Sequence, residues 1–138
     1  MSNYPRVILM VGLAVLLLAC TAAVAGARTT YTTSKPVLSG TPHKDKSFTT
    51  SGVITPKSTA KSRATVKIIL WMEYGDDDWG VMDTYWAKLS SRPAGKPGTK
   101  YACAITIPMK GDHGVQAVQY RDGKQVSKSQ TIYFTVQP

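Results

Sequence analysis

Short runs along the chain alternate between apolar residues and polar or small ones. In the clearest run, Tyr101, Cys103, Ile105 and Ile107 occupy every second position. A period of two places these side chains on one face of a β-strand, and we predict that this face points inward. Cys103 is therefore predicted to be a small core residue and not a reactive thiol, which would need an exposed and electropositive setting.

The same alternation recurs between clusters of Gly, Pro, Asp and Ser, and it predicts strands joined by turns. No segment after residue 28 keeps an apolar stripe at helical spacing over several turns. The sequence thus predicts an all-β fold. Its seven predicted strands are approximately 36–39, 47–55, 65–74, 79–89, 99–107, 114–121 and 129–137.

The first 27 residues have the pattern of an export signal. Arg6 supplies a positive charge, and residues 7–19 form an uninterrupted apolar run that is too short to favour a spanning helix. Two processing routes remain open. Cys20 ends a Leu-Leu-Ala-Cys lipobox and is the candidate for lipidation, whereas the small residues at 23–27 suit cleavage by ordinary signal peptidase.

Both routes place the folded part of the chain outside the cytoplasm, either secreted or held at the cell envelope through Cys20. Residues 28–34 are polar and nearly free of core-forming side chains, so they are predicted to be a tether. The predicted organisation is a signal peptide over 1–27, the tether over 28–34 and one domain over 35–138.

The chain is strongly basic, with 17 Lys and Arg against 8 Asp and Glu and a formal net charge of +9. Nucleic acid is a poor partner outside the cytoplasm. The predicted partners are therefore an anionic cell-wall polymer, a glycan or a protein, with membrane contact only through a lipid anchor. A solubilising charge excess without any partner is the alternative.

Several segments together resemble one repeat of the bacterial extracellular immunoglobulin-like (fibronectin-type-III-like) domains. The resemblance covers roughly residues 35–138 and is carried by the segments Phe48–Pro56, Ala64–Ile68, Thr99–Pro108 and Tyr133–Val136. It implies a seven-stranded immunoglobulin-like β-sandwich. Such repeats occur on secreted and wall-associated proteins as spacers, adhesive modules or appendages of enzymes.

Acidic residues cluster in one predicted turn and its flanks, which hold five of the eight carboxylates: Glu73, Asp76, Asp77, Asp78 and Asp83. Three interpretations remain open: an ordinary interstrand turn, a docking site for a basic partner, or a Ca²⁺ site. The spacing matches no EF-hand loop. We expect no metal and no cofactor.

All three tryptophans surround this turn. If Leu70 and its alternate neighbours fill the interior, Trp71 falls on the outer face, and Trp86 likewise has outward parity. They then form a binding surface for sugars or protein. Alternatively Trp71 packs inside, as a tryptophan on the third strand of immunoglobulin sandwiches often does. The candidate binding residues are Trp71, Asp76, Asp77, Asp78, Trp79 and Trp86.

Catalytic chemistry has little support in the sequence. There is a single glutamate, Glu73, and there is no Cys-x-x-Cys pair, zinc-binding His pair or phosphate-cradling loop. His113 is predicted to be structural. We therefore expect no enzyme but a non-catalytic extracellular or cell-envelope immunoglobulin-like module that acts in binding or adhesion or as a structural component. The alternatives are a small carbohydrate-binding module using exposed tryptophans, and a secreted hydrolase or inhibitor.

Overall fold

A computed structural model describes residues 28–138, so the predicted signal peptide and Cys20 lie outside the described residues. Over this range the chain forms strands and turns without a helix, and hence has no helix long and apolar enough to span a bilayer. The strands are β1 Thr32–Thr33, β2 Val37–Leu38, β3 Ser47–Thr55, β4 Ala64–Gly75, β5 Asp78–Trp86, β6 Lys88–Ser91, β7 Thr99–Thr106, β8 Gly111–Arg121, β9 Lys124–Lys128 and β10 Ile132–Val136.

The strands form two antiparallel five-stranded sheets, so the predicted all-β class is confirmed. In the first sheet the order is β1-β3-β7-β6, with β2 also pairing with β3. In the second sheet the order is β10-β8-β4-β5, with β9 also pairing with β8. The number of strands is ten, where the sequence predicted seven.

Side chains from both sheets fill the space between them. Val66, Ile68 and Leu70 alternate along β4 and are at most 1% exposed. Tyr101 and Ile105 of β7 belong to the same cluster of buried residues. Period-two alternation thus puts one face of each sheet in the core and leaves the other face to solvent.

Cys103 faces this core, as its position in the alternating run predicts. It pairs with Thr50 of β3, and its side chain packs against the buried cluster while remaining partly accessible. Burial raises the pKa of the Cys103 thiol, because a thiolate loses hydration there.

The predicted tether over 28–34 is corrected by the structure. Thr32 and Thr33 pair with β3 as strand β1, and the Ser34 carbonyl accepts a 2.8 Å hydrogen bond from the buried Tyr101 hydroxyl. The compact unit therefore begins at Tyr31 and not at residue 35. Backbone hydrogen bonds to β3 hold this polar segment in the sheet, because it has few apolar side chains to bury.

The predicted strand over 79–89 is also corrected, because it is two strands in different sheets. β5 pairs with β4, whereas β6 pairs with β7 across the sandwich. The change of sheet occurs at Ala87, whose amide donates a 2.8 Å hydrogen bond to the Val66 carbonyl. The predicted last strand, 129–137, is shorter in the structure, and β9 precedes it.

Candidate functional site

The outer face of the second sheet carries all three tryptophans. Trp86 pairs with Lys67 of β4, and Trp79 pairs with Glu73. These β4 positions alternate with core residues, so both tryptophans and Trp71 project outward. We call this surface the aromatic face; its aromatic members are Trp71, Trp79, Trp86, Tyr120 and Tyr133.

Two aromatic rings from opposite edges of the sheet meet above it. Trp79 of β5 and Tyr133 of β10 make an edge-to-face contact, with ring centroids 5.1 Å apart and planes at 69°. Gly114 of β8 lies beneath Tyr133. A Cβ atom at Gly114 would lie 3.2 Å from Tyr133 Cδ1 and 3.1 Å from Thr131 Cγ2, so the absence of a side chain lets the tyrosine lie across the sheet. We call the Trp79–Tyr133 pair the aromatic arch.

Two clefts adjoin the arch. One has a volume of about 240 Å³ and is lined by Trp71, Trp79, Thr131 and Tyr133. Trp71 is half-buried, and its indole N–H is buried without a hydrogen-bond acceptor. A buried donor without an acceptor is unfavourable, which makes this N–H receptive to an acceptor atom.

The second cleft adds a carboxylate to the aromatic rings. It has a volume of about 290 Å³ and is lined by Trp79, Asp112, Tyr133, Phe134 and Thr135. Asp112 accepts a 2.6 Å hydrogen bond from the Thr135 hydroxyl, which fixes the carboxylate beside the arch.

The acidic turn between β4 and β5 lies at the same end of the aromatic face. Asp76 and Asp77 have left-handed backbone conformations, with φ of 44° and 62°, which Asp tolerates better than most residues. The Asp77 amide donates a 3.2 Å hydrogen bond to a Glu73 carboxylate oxygen. In the part of the chain that the structure describes, no three His, Cys, Asp or Glu side chains are grouped so that they could hold a metal ion.

The other end of the aromatic face is basic. Lys67 Nζ lies 5.1 Å from the ring centroid of Trp86 and 5.4 Å from that of Tyr120. The two rings contact each other edge-to-face, with centroids 6.0 Å apart. Both Lys67 and Lys128 are register partners of Val118. The aromatic face therefore has an acidic end at the arch and a basic end at Trp86.

The predicted candidate residues fall on this surface or at its edge. Trp71 faces outward and is half-buried, while Trp86 is 64% exposed. The β-bulge next to Trp71 shifts the pairing with β5 but leaves the pairing with β8 in register, so the parity of Trp71 does not change. Asp76, Asp77 and Asp78 lie in or beside the exposed turn at the acidic end.

Sequence reasoning missed the partners that complete the surface. Tyr133 and Asp112 were not among the candidates, although Tyr133 alternates with the more buried neighbours Ile132 and Phe134. That alternation was the available signal. The meeting of Tyr133 with Trp79 depends on strand order, which the local pattern does not contain.

Other buried polar groups hold the fold together. The Arg121 guanidinium donates hydrogen bonds to the Gln119 side chain at 2.7 Å and to the Ser62 carbonyl at 2.8 Å. Burial lowers the pKa of Arg121. His113 is completely buried, with Nδ1 2.9 Å from the Gly111 carbonyl oxygen, and it stacks on Phe134.

Comparison with known proteins gives matches among solved structures alone. No family model matches the chain, and no curated protein matches it. One solved structure, superoxide reductase (neelaredoxin) from Ignicoccus hospitalis, is 9% identical with a TM-score of 0.44, covering 79% of this chain and 80% of that chain. A variant of that protein is 10% identical with a TM-score of 0.42, covering 83% and 85%.

These comparisons contradict the expected function, a non-catalytic immunoglobulin-like module in binding, adhesion or structure, because the matched structures are those of an enzyme. The expectation is corrected accordingly. At 9–10% identity, and with TM-scores of 0.44 and 0.42, the likeness assigns no activity to this chain.

Proposed function

We propose that the domain recognises a positively charged group, an ammonium or a guanidinium, presented by a protein partner. The observation that carries the proposal is the aromatic arch with the Asp112 carboxylate in the cleft beside it. This acidic corner belongs to a chain whose formal net charge is +9. Carboxylates gathered at one place on a basic protein make the local potential there more favourable to a cation than at the basic end of the same face.

Aromatic rings and carboxylates attract cations by complementary means. The face of an indole or phenol ring attracts a cation through its quadrupole, with about 0.5–2 kcal/mol depending on desolvation. A neighbouring carboxylate adds a direct charge interaction, which is stronger where the rings exclude water. Trp79, Tyr133 and Asp112 supply both around one cleft.

The test compares a cation with a neutral molecule of the same shape. Choline and 3,3-dimethylbutan-1-ol are added separately to dilute purified protein, and tryptophan fluorescence and amide chemical shifts are followed. We expect choline to bind at least fivefold more tightly than the alcohol and to perturb residues around the arch.

Two variants locate the site. Tyr133→Ala removes half of the arch and is expected to weaken choline binding at least fivefold, with the fold kept because Tyr133 is 68% exposed. Trp86→Ala removes an equally exposed aromatic at the other end of the aromatic face and is the matched control. Equal binding of both probes, or no effect of Tyr133→Ala, contradicts the proposal.

We also propose that the sandwich is immunoglobulin-like. Its support is the strand order: β1-β3-β7-β6 in one sheet corresponds to the order A-B-E-D, and β10-β8-β4 in the other corresponds to G-F-C. β5 would then be the additional strand beside C that variable-type domains carry. An experimental structure that places these strands in another order would contradict this assignment.

The proposed location is outside the cytoplasm, with the domain either secreted or lipid-anchored through Cys20. Its support is the pattern of residues 1–27: a positive charge, an apolar run and a lipobox followed by small residues.

A further inference from the structure

The basic end of the aromatic face is organised as a row across four strands. Register pairing connects β5, β4, β8 and β9 through Trp86, Lys67, Val118 and Lys128. Val118 separates the two lysines of this row, and the exposed Trp86 lies at the end of the row, on the edge strand β5.

The acidic end forms a second row. Trp79 pairs with Glu73 on one side of the sheet, and Asp112 pairs with Thr135 on the other. The last pair between β4 and β8 precedes this row by one step, so Glu73 and Asp112 are the next residues along neighbouring strands. Each row therefore contains one tryptophan of β5 and two side chains of like charge. These are Lys67 and Lys128 in the first row, and Glu73 and Asp112 in the second.

The two rows are related by the geometry of the sheet. Lys67 and Glu73 lie equally far along β4 from Leu70, which pairs with Val115. The β8 members of the two rows are likewise equally far from Val115. A two-fold axis that crosses the strands at this pair would place the basic row of one molecule over the acidic row of another.

We propose that the aromatic face is the contact surface of a homodimer in which Lys67 of each copy faces Glu73 of the other. The proposal rests on the proposed function, because the same two-fold places Lys128 of each copy over the Asp112–Thr135 pair beside the arch of the other, and it identifies the partner as a second copy of this chain. A symmetric dimer needs a self-complementary surface. Charges of opposite sign at the two ends meet this condition when the two-fold axis crosses the strands. A two-fold axis parallel to the strands would instead bring like charges together.

The face is large enough for such a contact. With strands about 4.8 Å apart and a rise of about 3.3 Å per residue, four strands over nine residues present about 570 Å². Two such faces enclose roughly 1,100 Å², which exceeds the roughly 1,000 Å² expected of a specific interface. The tryptophans of the two rows would lie opposite each other, Trp79 of one copy against Trp86 of the other, as aromatic anchors.

Charge reversal tests the arrangement. In sedimentation experiments over a concentration series, the purified protein is expected to dimerise. Lys67→Glu and Glu73→Lys should each raise the dimer Kd at least tenfold, because like charges then face each other. An equal mixture of the two variants should recover the dimer, since one copy carries two carboxylates and the other two lysines. Recovery also shows that both variants are folded.

A matched control and a second measurement separate the outcomes. Lys100→Glu reverses an exposed charge on the first sheet and should leave the dimer unchanged. A protein that stays monomeric at millimolar concentration, or a dimer that ignores both reversals, overturns the homodimer. Choline selectivity retained in those samples leaves the proposed function standing, whereas its loss from dilute wild-type protein overturns the proposed function itself.

Discussion

At the scale of single residues, the absence of a side chain shapes the candidate site. Gly114 lies in strand β8 and is paired on both sides, with Trp71 of β4 and Tyr133 of β10, at a position where glycine weakens packing and increases the entropy lost on folding. The gain is space: Tyr133 lies across the strand at a distance that a Cβ atom would crowd. Trp79 can therefore reach Tyr133 from the opposite edge strand, and the two clefts form beside their contact.

Cys103 allows a residue-level prediction from its raised pKa. Burial disfavours the thiolate, which is the reactive form, so native Cys103 should react slowly with a thiol reagent at pH 8 and much faster in denaturant. The pH at which labelling reaches half its maximal rate should be higher in the native protein than in the unfolded chain. Stopped-flow labelling from pH 7 to 10 measures both; equal native and unfolded profiles would contradict the inward placement.

At the scale of elements, alternation predicted strands accurately where a strand has a stripe of side chains that point into the core. β3 was predicted at 47–55 and spans Ser47–Thr55, where the buried Phe48, Thr50 and Ile54 alternate with more exposed residues. β9, Lys124–Lys128, is an edge strand of mainly polar residues without an inward stripe, so the sequence does not mark it. β1 is similar. Such strands are stabilised by backbone hydrogen bonds to a neighbour, and no periodicity records that contribution.

The candidate site was predictable only where the local alternation of residues determines which face a side chain occupies. Parity placed Trp71 and Trp86 on the outer face, since Trp71 alternates with buried Leu70 and Trp86 lies between the partly buried Tyr85 and Ala87. The alternative interpretation, in which Trp71 packs inside as in immunoglobulin sandwiches, is not what the structure shows. The arch was not predictable, because Trp79 and Tyr133 meet through the order β10-β8-β4-β5. That order comes from long-range pairing, and local sequence leaves it open.

The turn between β4 and β5 gives a prediction at the element scale. Changing Asp76, Asp77 and Asp78 together to Asn removes three charges and preserves residues that tolerate the left-handed conformation. The melting temperature should change little, because exposed charges contribute about 0–1 kcal/mol. Choline should bind more weakly at low salt, with the difference shrinking as salt screens the turn.

Asp122→Asn is the control for this variant. Asp122 also has a left-handed conformation, with φ of 49°, but it follows β8 at the opposite end of the sheet. Its replacement should leave choline binding unchanged. Equal choline affinity in the triple variant and the wild type at every salt concentration would remove the turn from the site.

At the scale of the whole molecule, the two sheets expose different chemistry. The outer face of β3 and β7 presents small and basic residues, with Thr49 and Ser51 on β3 and Lys100 and Ala102 on β7. The opposite outer face holds every tryptophan and, at one end, most of the carboxylates. The molecule is therefore polarised, and a partner of defined charge would meet it from one side.

A lipid anchor at Cys20, if the chain carries one, would determine how this aromatic face is presented at the cell surface. If Cys20 becomes the acylated N-terminus, the lipid anchors the chain ahead of β1, whose pairing with β3 begins at Thr32. Stable anchoring takes more than one acyl chain, with about 0.8 kcal/mol for each buried CH₂ group. Cys20→Ala should then move the protein from the membrane fraction to the medium, as measured by immunoblot after fractionation. Wild-type protein found mainly in the medium, with the same distribution for Cys20→Ala, would contradict anchoring and favour cleavage at the small residues near 23–27.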